Sequence, residues 1–134
     1  FITRGSGRIL NVSSIASLVP GPWQATYFAA KAYVTSLTLA LSEELRGTGV
    51  TATVVLPGGM RTGFEAAAKL EGTGLAAQLT QSPDDVARRS YEAMLRGRRK
   101  LVAGTPLLQR LLLRLVPFAP TAFVLRVVAR LHKR

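Results

Sequence analysis

Apolar residues along this chain fall into short unbroken runs and longer spaced ones, in alternation. Residues 8–13, RILNVS, follow a Gly-Ser-Gly turn, are rich in strand formers and predict a buried strand. Residues 18–23, LVPGPW, are punctuated by Pro and Gly and predict a loop. From residue 25 to about 46 the spacing lengthens. Tyr33, Leu37, Ala40, Leu41 and Leu45 recur at three- and four-residue steps, as on one face of a long helix, and Gly47 and Gly49 supply its stop. Residues 50–56, VTATVVL, lack alternation, as expected of a strand that a parallel sheet covers on both faces, and Pro57-Gly58-Gly59 breaks it.

Residues 63–80 are small and polar with Gly72 and Gly74, and predict a short helix plus a loop. At 82–85, Ser82 predicts a cap, Pro83 the first helical position, and Asp84 and Asp85 suit the first turn of a helix reaching about residue 96. Residues 100–103, KLVA, predict a third strand. Helices near 106–116 and 120–133 follow, divided by Pro117 and Pro120. Strands alternating with helices predict an α/β fold with a parallel sheet and right-handed crossovers. No internal repeat or low-complexity stretch interrupts it.

Length and composition narrow this further. The 134 residues suit one ordinary domain, and 48% apolar residues are enough for a core. With no cysteine, disulfides and thiolate metal sites are excluded. The single histidine, His132, sits among basic residues near the end and offers no basis for a metal or Ser-His site. Residues 1–87 balance six basic against six acidic side chains, whereas 88–134 hold twelve basic residues and one acid, Glu92, so the net +11 lies in the last third. The opening FITRGSGRIL has no initial methionine or targeting segment and reads as the approach to a strand inside a domain, so a fragment is expected.

In open α/β sheets ligands bind beyond the carboxyl ends of the strands. Ser13 and Ser14 end the first predicted strand, and residues 57–62, PGGMRT, follow the second. Tyr27 and Lys31, four residues apart, share one face of the intervening helix, whose N-terminal end lies on that same edge. Topology alone therefore gathers a hydroxyl, a phenol, an ammonium and a Gly-rich turn on one rim. A lysine charge near a phenol favours its phenolate form, as a tuned proton donor requires.

Taken in order, Asn11-Val12-Ser13-Ser14, Tyr27-x-x-x-Lys31 and Pro57-Gly58-x-x-x-Thr62 resemble the second half of a short-chain dehydrogenase/reductase, over about residues 1–104. The resemblance implies a partial doubly wound, Rossmann-like parallel sheet of about three strands, with residues 105–134 as a cationic helical tail. It implies hydride transfer between NAD or NADP and a small-molecule carbonyl or alcohol. Ser14, thirteen residues before the tyrosine, takes the catalytic serine position and would hold the substrate oxygen. Tyr27 would be the general acid/base and also a cofactor contact, and Lys31 would favour its phenolate and bind the nicotinamide ribose. Pro57 and Gly58 would let backbone approach the nicotinamide, and Thr62 would contact its carboxamide or the phosphates.

Several family features have no counterpart among the 134 residues: the TGxxxGxG pyrophosphate turn, the residues that choose NAD or NADP, the Asn-Ala-Gly motif and a helical catalytic asparagine. Asn11 lies in a strand and is not that asparagine. The alternative reading is accordingly an inactive truncated fragment, or a membrane or protein interaction module. Ser13 reads as structural, Tyr33 as packing and Arg61 as a solvated arginine or a phosphate contact. Trp23 and Gln24 are candidates for either packing or substrate contact.

In the tail, Arg110 with Arg114 and Arg126 with Arg130 are spaced one turn apart among Leu, Val and Phe. Such amphipathic helices suit an anionic membrane surface, or else they pack on a missing half or a second subunit. The longest charge-free run there, residues 115–125, has 11 residues and two prolines, too short to span a bilayer. Nucleic acid is not an expected partner, because the arginines lack interleaved aromatics or a known reading module. The expectation is a cytoplasmic protein, homo-oligomeric at full length, with a membrane's inner face as the site of any peripheral attachment.

Overall fold

β2, Val50–Pro57, is the strand on which the molecule is built, since Ala52 through Pro57 are all buried. In the computed structural model, which describes residues 1–60 and 81–132, β2 lies between β1, Gly7–Val12, and β3, Lys100–Ala103. Both pairings are parallel, running from Gly7 opposite Val50 to Val12 opposite Val55, and from Val54 opposite Lys100 to Pro57 opposite Ala103. Among the described residues four helices accompany the sheet: α1 (Ala25–Glu44), α2 (Pro83–Leu95), α3 (Leu107–Leu115) and α4 (Thr121–His132). The expected α/β class with a three-stranded parallel sheet is what forms. The short helix and loop expected over 63–80 lie outside the described residues.

Strand side chains alternate between faces, so Leu10 and Asn11 point to opposite layers. Leu10 joins Val55, Ala103 and Leu101 against Val86 of α2. Asn11, on the other face, donates from Nδ2 to Thr38 Oγ1 of α1 at 2.9 Å, and Thr38 donates to the Val34 carbonyl at 2.7 Å. α1 therefore packs on one face and α2 on the other.

That polar contact corrects the expected orientation of α1. The helix docks through Phe28, Thr35 and Thr38, while Tyr33 is 66% exposed and Leu37 40% exposed. The sheet surface beneath it carries the amide of Asn11 and the hydroxyl of Ser13. Burying those groups without partners is costly, so the threonine face wins over the leucine face. Tyr33, expected to pack, faces outward. At the start of α2, Ser82 holds the cap position but its side chain makes no capping hydrogen bond. Its carbonyl accepts from Val86 N–H at 3.2 Å, the first bond of the helix. Asp84 and Asp85 supply the charge that favours a helix N-terminus.

The tail folds back on the chain. Val124 and Val128 of α4 are buried against Phe28 of α1, flanked by Ala16, Val19, Val116 and Ala119. This second cluster lies beyond the carboxyl ends of the strands, beside the residues singled out for chemistry.

Gly49 enters β2 with φ of +77°, and a Cβ there would collide with the backbone carbonyl of Gly5. Gly49→Ala is expected to cost about 1–3 kcal/mol, as strain at a left-handed residue does. Urea denaturation monitored by circular dichroism measures it, and an unchanged midpoint contradicts the assignment.

Candidate active site

Ser13 is 3% exposed and joins the end of β1 to α1. Its N–H donates to Val55 O at 2.8 Å, continuing the ladder. Its hydroxyl donates to the Lys31 carbonyl at 2.8 Å and lies 2.7 Å from Thr35 Oγ1. With one proton on Ser13 Oγ going to the carbonyl, the Thr35 hydroxyl is the donor of the second bond. Ser13 is thus structural, as the sequence suggested, and it ties the turn of α1 that bears Lys31 to the strand that precedes Ser14.

Ser14 is extended, with φ of −162°, and its Oγ accepts from Ala16 N–H at 3.1 Å, capping the 3-10 turn Ile15–Leu18. Lys31 Nζ donates to Val12 O at 3.2 Å and lies 5.7 Å from the centroid of the Tyr27 ring. That distance is within cation–π range. Tyr27 meets Phe28 edge-on at 5.9 Å. The phenol is therefore held between the lysine and the cluster that α4 completes.

Pro57 and Gly58 close the floor. Gly58 N–H donates to Ala103 O at 2.8 Å, and a Cβ on Gly58 would sit 2.8 Å from Gly104 O and 2.9 Å from Thr105 Oγ1. Any side chain would push the turn off its neighbouring strand end, so glycine is required by close approach.

These residues border one half-open cavity of about 850 Å³. Ser14, Tyr27, Lys31, Pro57 and Gly58 all line it, as do Gln24 and Met60. Thr62 and Arg61 lie outside the described residues. Trp23 is 70% exposed, has φ of +63° and is not among the residues that line this cavity. The opposite wall comes from the tail: Gln109, Leu112 and Val116 at α3, Phe123 and Val127 on α4. Sequence reasoning identified the tail's apolar stripes but not what they face, because amphipathicity does not name its partner. Among the described residues no group of three or more His, Asp or Glu side chains could hold a metal ion.

A three-stranded parallel sheet with a serine, a tyrosine and a lysine gathered at its carboxyl edge defines a class, and the comparisons agree with it. The short chain dehydrogenase family matches residues 1–72, and the chain belongs to that family, one of oxidoreductases. It is 32% identical over 124 residues to a ketoacyl reductase of Nostoc sp., covering 89% of this chain and 42% of that protein. The solved structure of a 7β-hydroxysteroid dehydrogenase superposes with a TM-score of 0.75 at 22% identity, over 96% of this chain and 50% of that one. A short-chain dehydrogenase of Sphingobium yanoikuyae in complex with NADPH gives a TM-score of 0.67 at 24% identity, over 83% and 43%. The chain spans between about a quarter and two fifths of the length of the curated relatives, and between about two fifths and half of the solved ones.

Ser13→Ala leaves the Thr35 hydroxyl without its buried acceptor. It is expected to lower stability by about 1–3 kcal/mol. A Ser13→Thr variant, which keeps the hydroxyl, should recover most of the loss in the same urea titration. Equal loss in both variants would mean that packing, and not the hydrogen bonds, holds this corner.

Proposed function

We propose that this chain supplies the acid–base part of an NAD- or NADP-dependent carbonyl reductase or alcohol dehydrogenase. The observation that carries the reading is the convergence of Ser14, Tyr27, Lys31 and the Pro57-Gly58 turn on one cavity at the carboxyl edge of the sheet. When bound, the nicotinamide supplies or accepts the hydride. The residues present suit its nicotinamide–ribose end. An ammonium and a phenol are suitable partners for ribose hydroxyls, and the side-chain-free Gly58, already pressed against Gly104 and Thr105, lets a planar ring approach backbone. The 134 residues contain no TGxxxGxG turn for the pyrophosphate, and nothing in them chooses between NAD and NADP.

In the reductive direction Tyr27 would give its phenolic proton to the carbonyl oxygen. Lys31 would stabilise the phenolate left behind and hold ribose hydroxyls. Ser14 Oγ already accepts from Ala16 N–H, so its own proton is available to donate to the substrate oxygen. That donation would strengthen as negative charge develops there. Oxidation runs the same transfers backwards.

Residues 1–104 would then be the C-terminal half of a Rossmann-type domain. The outward strip of α1 with Tyr33 and Leu37 suits a homo-oligomer contact. Residues 105–134 would be an appended helical segment in a cytoplasmic protein. In the intact protein Tyr27→Phe should lower turnover on the order of a hundred- to ten-thousand-fold while NADH or NADPH binding, read by fluorescence titration, persists. Near-normal turnover would sink the assignment. The alternative of an inactive chain has its own measurement, titration of the 134 residues alone with NADH and NADPH. Saturable micromolar binding would refute it.

One feature of α3 favours a second reading, peripheral attachment to an anionic membrane face. Leu107, Leu108, Leu111, Leu115 and Phe118 are each more than half exposed, and Arg110 and Arg114 lie on the same segment. No described helix is long and apolar enough to cross a membrane. Leu108→Asp with Leu111→Asp should cut flotation of the intact protein with anionic vesicles by about tenfold or more, since each removes apolar area and adds repulsion. Unchanged flotation argues against attachment.

A further inference from the structure

We propose that the substrate carries its carbonyl on an extended apolar body, which lies along the wall built by α3 and α4. This inference rests on the oxidoreductase reading of the same cavity and names the substrate class. Among the described residues the polar side chains of the lining are few. Ser14, Tyr27 and Lys31 stand together at the sheet edge, Ser13 is committed to Lys31 and Thr35, and Gln24 and Gln109 complete that set. Beyond them the wall is Leu112, Val116, Phe123, Val127 and Leu131, with no charged group.

The arginines of the tail decide between substrate classes. α3 and α4 carry Arg110, Arg114, Arg126 and Arg130, yet none of the four lines the cavity. A sugar, a hydroxy acid or a phosphorylated substrate would need such donors, because polar groups buried against leucine and valine lose their hydration without replacement. An alkyl chain or fused hydrocarbon rings lose nothing. Leu112, Phe123 and Val127 line the cavity and are still 56%, 59% and 41% exposed, so a bound apolar body removes a continuous apolar surface from water. That surface joins the catalytic trio through Phe28, which touches both Tyr27 and the buried valines of α4. The carbonyl would therefore be read by three polar groups at one end and the remainder by area alone.

The experiment uses the intact protein and a series of straight-chain 2-ketones from butanone to 2-undecanone. Two quantities are measured: kcat/KM with NADH or NADPH, and, separately, binding of each ketone to the Tyr27→Phe variant by calorimetry. Both should climb about three- to fourfold per methylene until the cavity is filled. Leu112→Ser and Val127→Ser should each lower the ratio of 2-undecanone to butanone binding by about fivefold or more, whereas Leu125→Ser, away from the lining, leaves that ratio alone. Phe123→Trp adds bulk without opening a hole and should penalise the longest ketones first, which covers the case where a serine variant fails to fold. Flat length dependence in both measurements overturns the inference and leaves the role of Tyr27 standing. Length-dependent binding with no turnover of any ketone keeps the inference and overturns the oxidoreductase reading. Tighter binding of a polyhydroxy ketone than of a 2-ketone of equal carbon number also overturns it.

Discussion

The arrangement depends on a single buried hydroxyl. Ser13 closes the last rung from β1 to β2 with its N–H and fixes α1 with its side chain. A strand end and a helix can slide past one another when only apolar contacts join them, because such contacts are not directional. Two hydrogen bonds to successive turns of α1 remove that freedom. Once the Lys31 carbonyl is held, the lysine side chain can reach back to the Val12 carbonyl, and Tyr27, one turn earlier, falls beside Phe28. Ser14 is then placed by being the next residue along an extended chain.

The same constraint explains why α1 sits as it does. Its apolar residues are distributed around much of its circumference, so hydrophobic burial alone would leave its rotation poorly determined. Polar groups on the sheet settle it. Asn11 and Ser13 must find partners, and Thr38 and Thr35 are the residues that provide them. The cost is that Tyr33 and Leu37 are turned outward. Phe28, on the docking side, is left at the open end of the helix, where α4 covers it with Val124 and Val128. Polar registration of one helix thereby creates the apolar seat for another.

How much of this could be read beforehand follows from which physical signal each element leaves. Strands and helices were legible because local pattern determines them: VTATVVL has no polar face, and Pro-Gly punctuation brackets it. The meeting of Ser14, Tyr27, Lys31, Pro57 and Gly58 around one cavity was legible because the carboxyl edge of a parallel sheet gathers those positions whatever the packing details. The docking face of α1 was not, since a spacing argument weighs leucines above threonines and cannot see an asparagine across the gap. The Ser82 cap position was legible too, since the residue type marks it, but not that its side chain makes no capping bond. The tail's partner was invisible because an apolar stripe records that something covers it, not what.

That last gap bears on the chemistry. α4 presents Val124 and Val128 to Phe28 and Val127 to the cavity, while Arg110, Arg114, Arg126 and Arg130 stay out of the lining. Among the described residues, the basic segment therefore adds no positive charge to the lining, where Lys31 is the only cation. Were Arg126 or Arg130 turned inward, it would compete with Lys31 for any anion formed beside Tyr27 and would draw polar ligands. With the arginines elsewhere, the apolar wall lowers the local dielectric around a single ammonium and a single phenol, and each hydrogen bond they make there counts for more than it would in water. On the proposed reading, the helices that would set which substrate fits would also make the polar end effective.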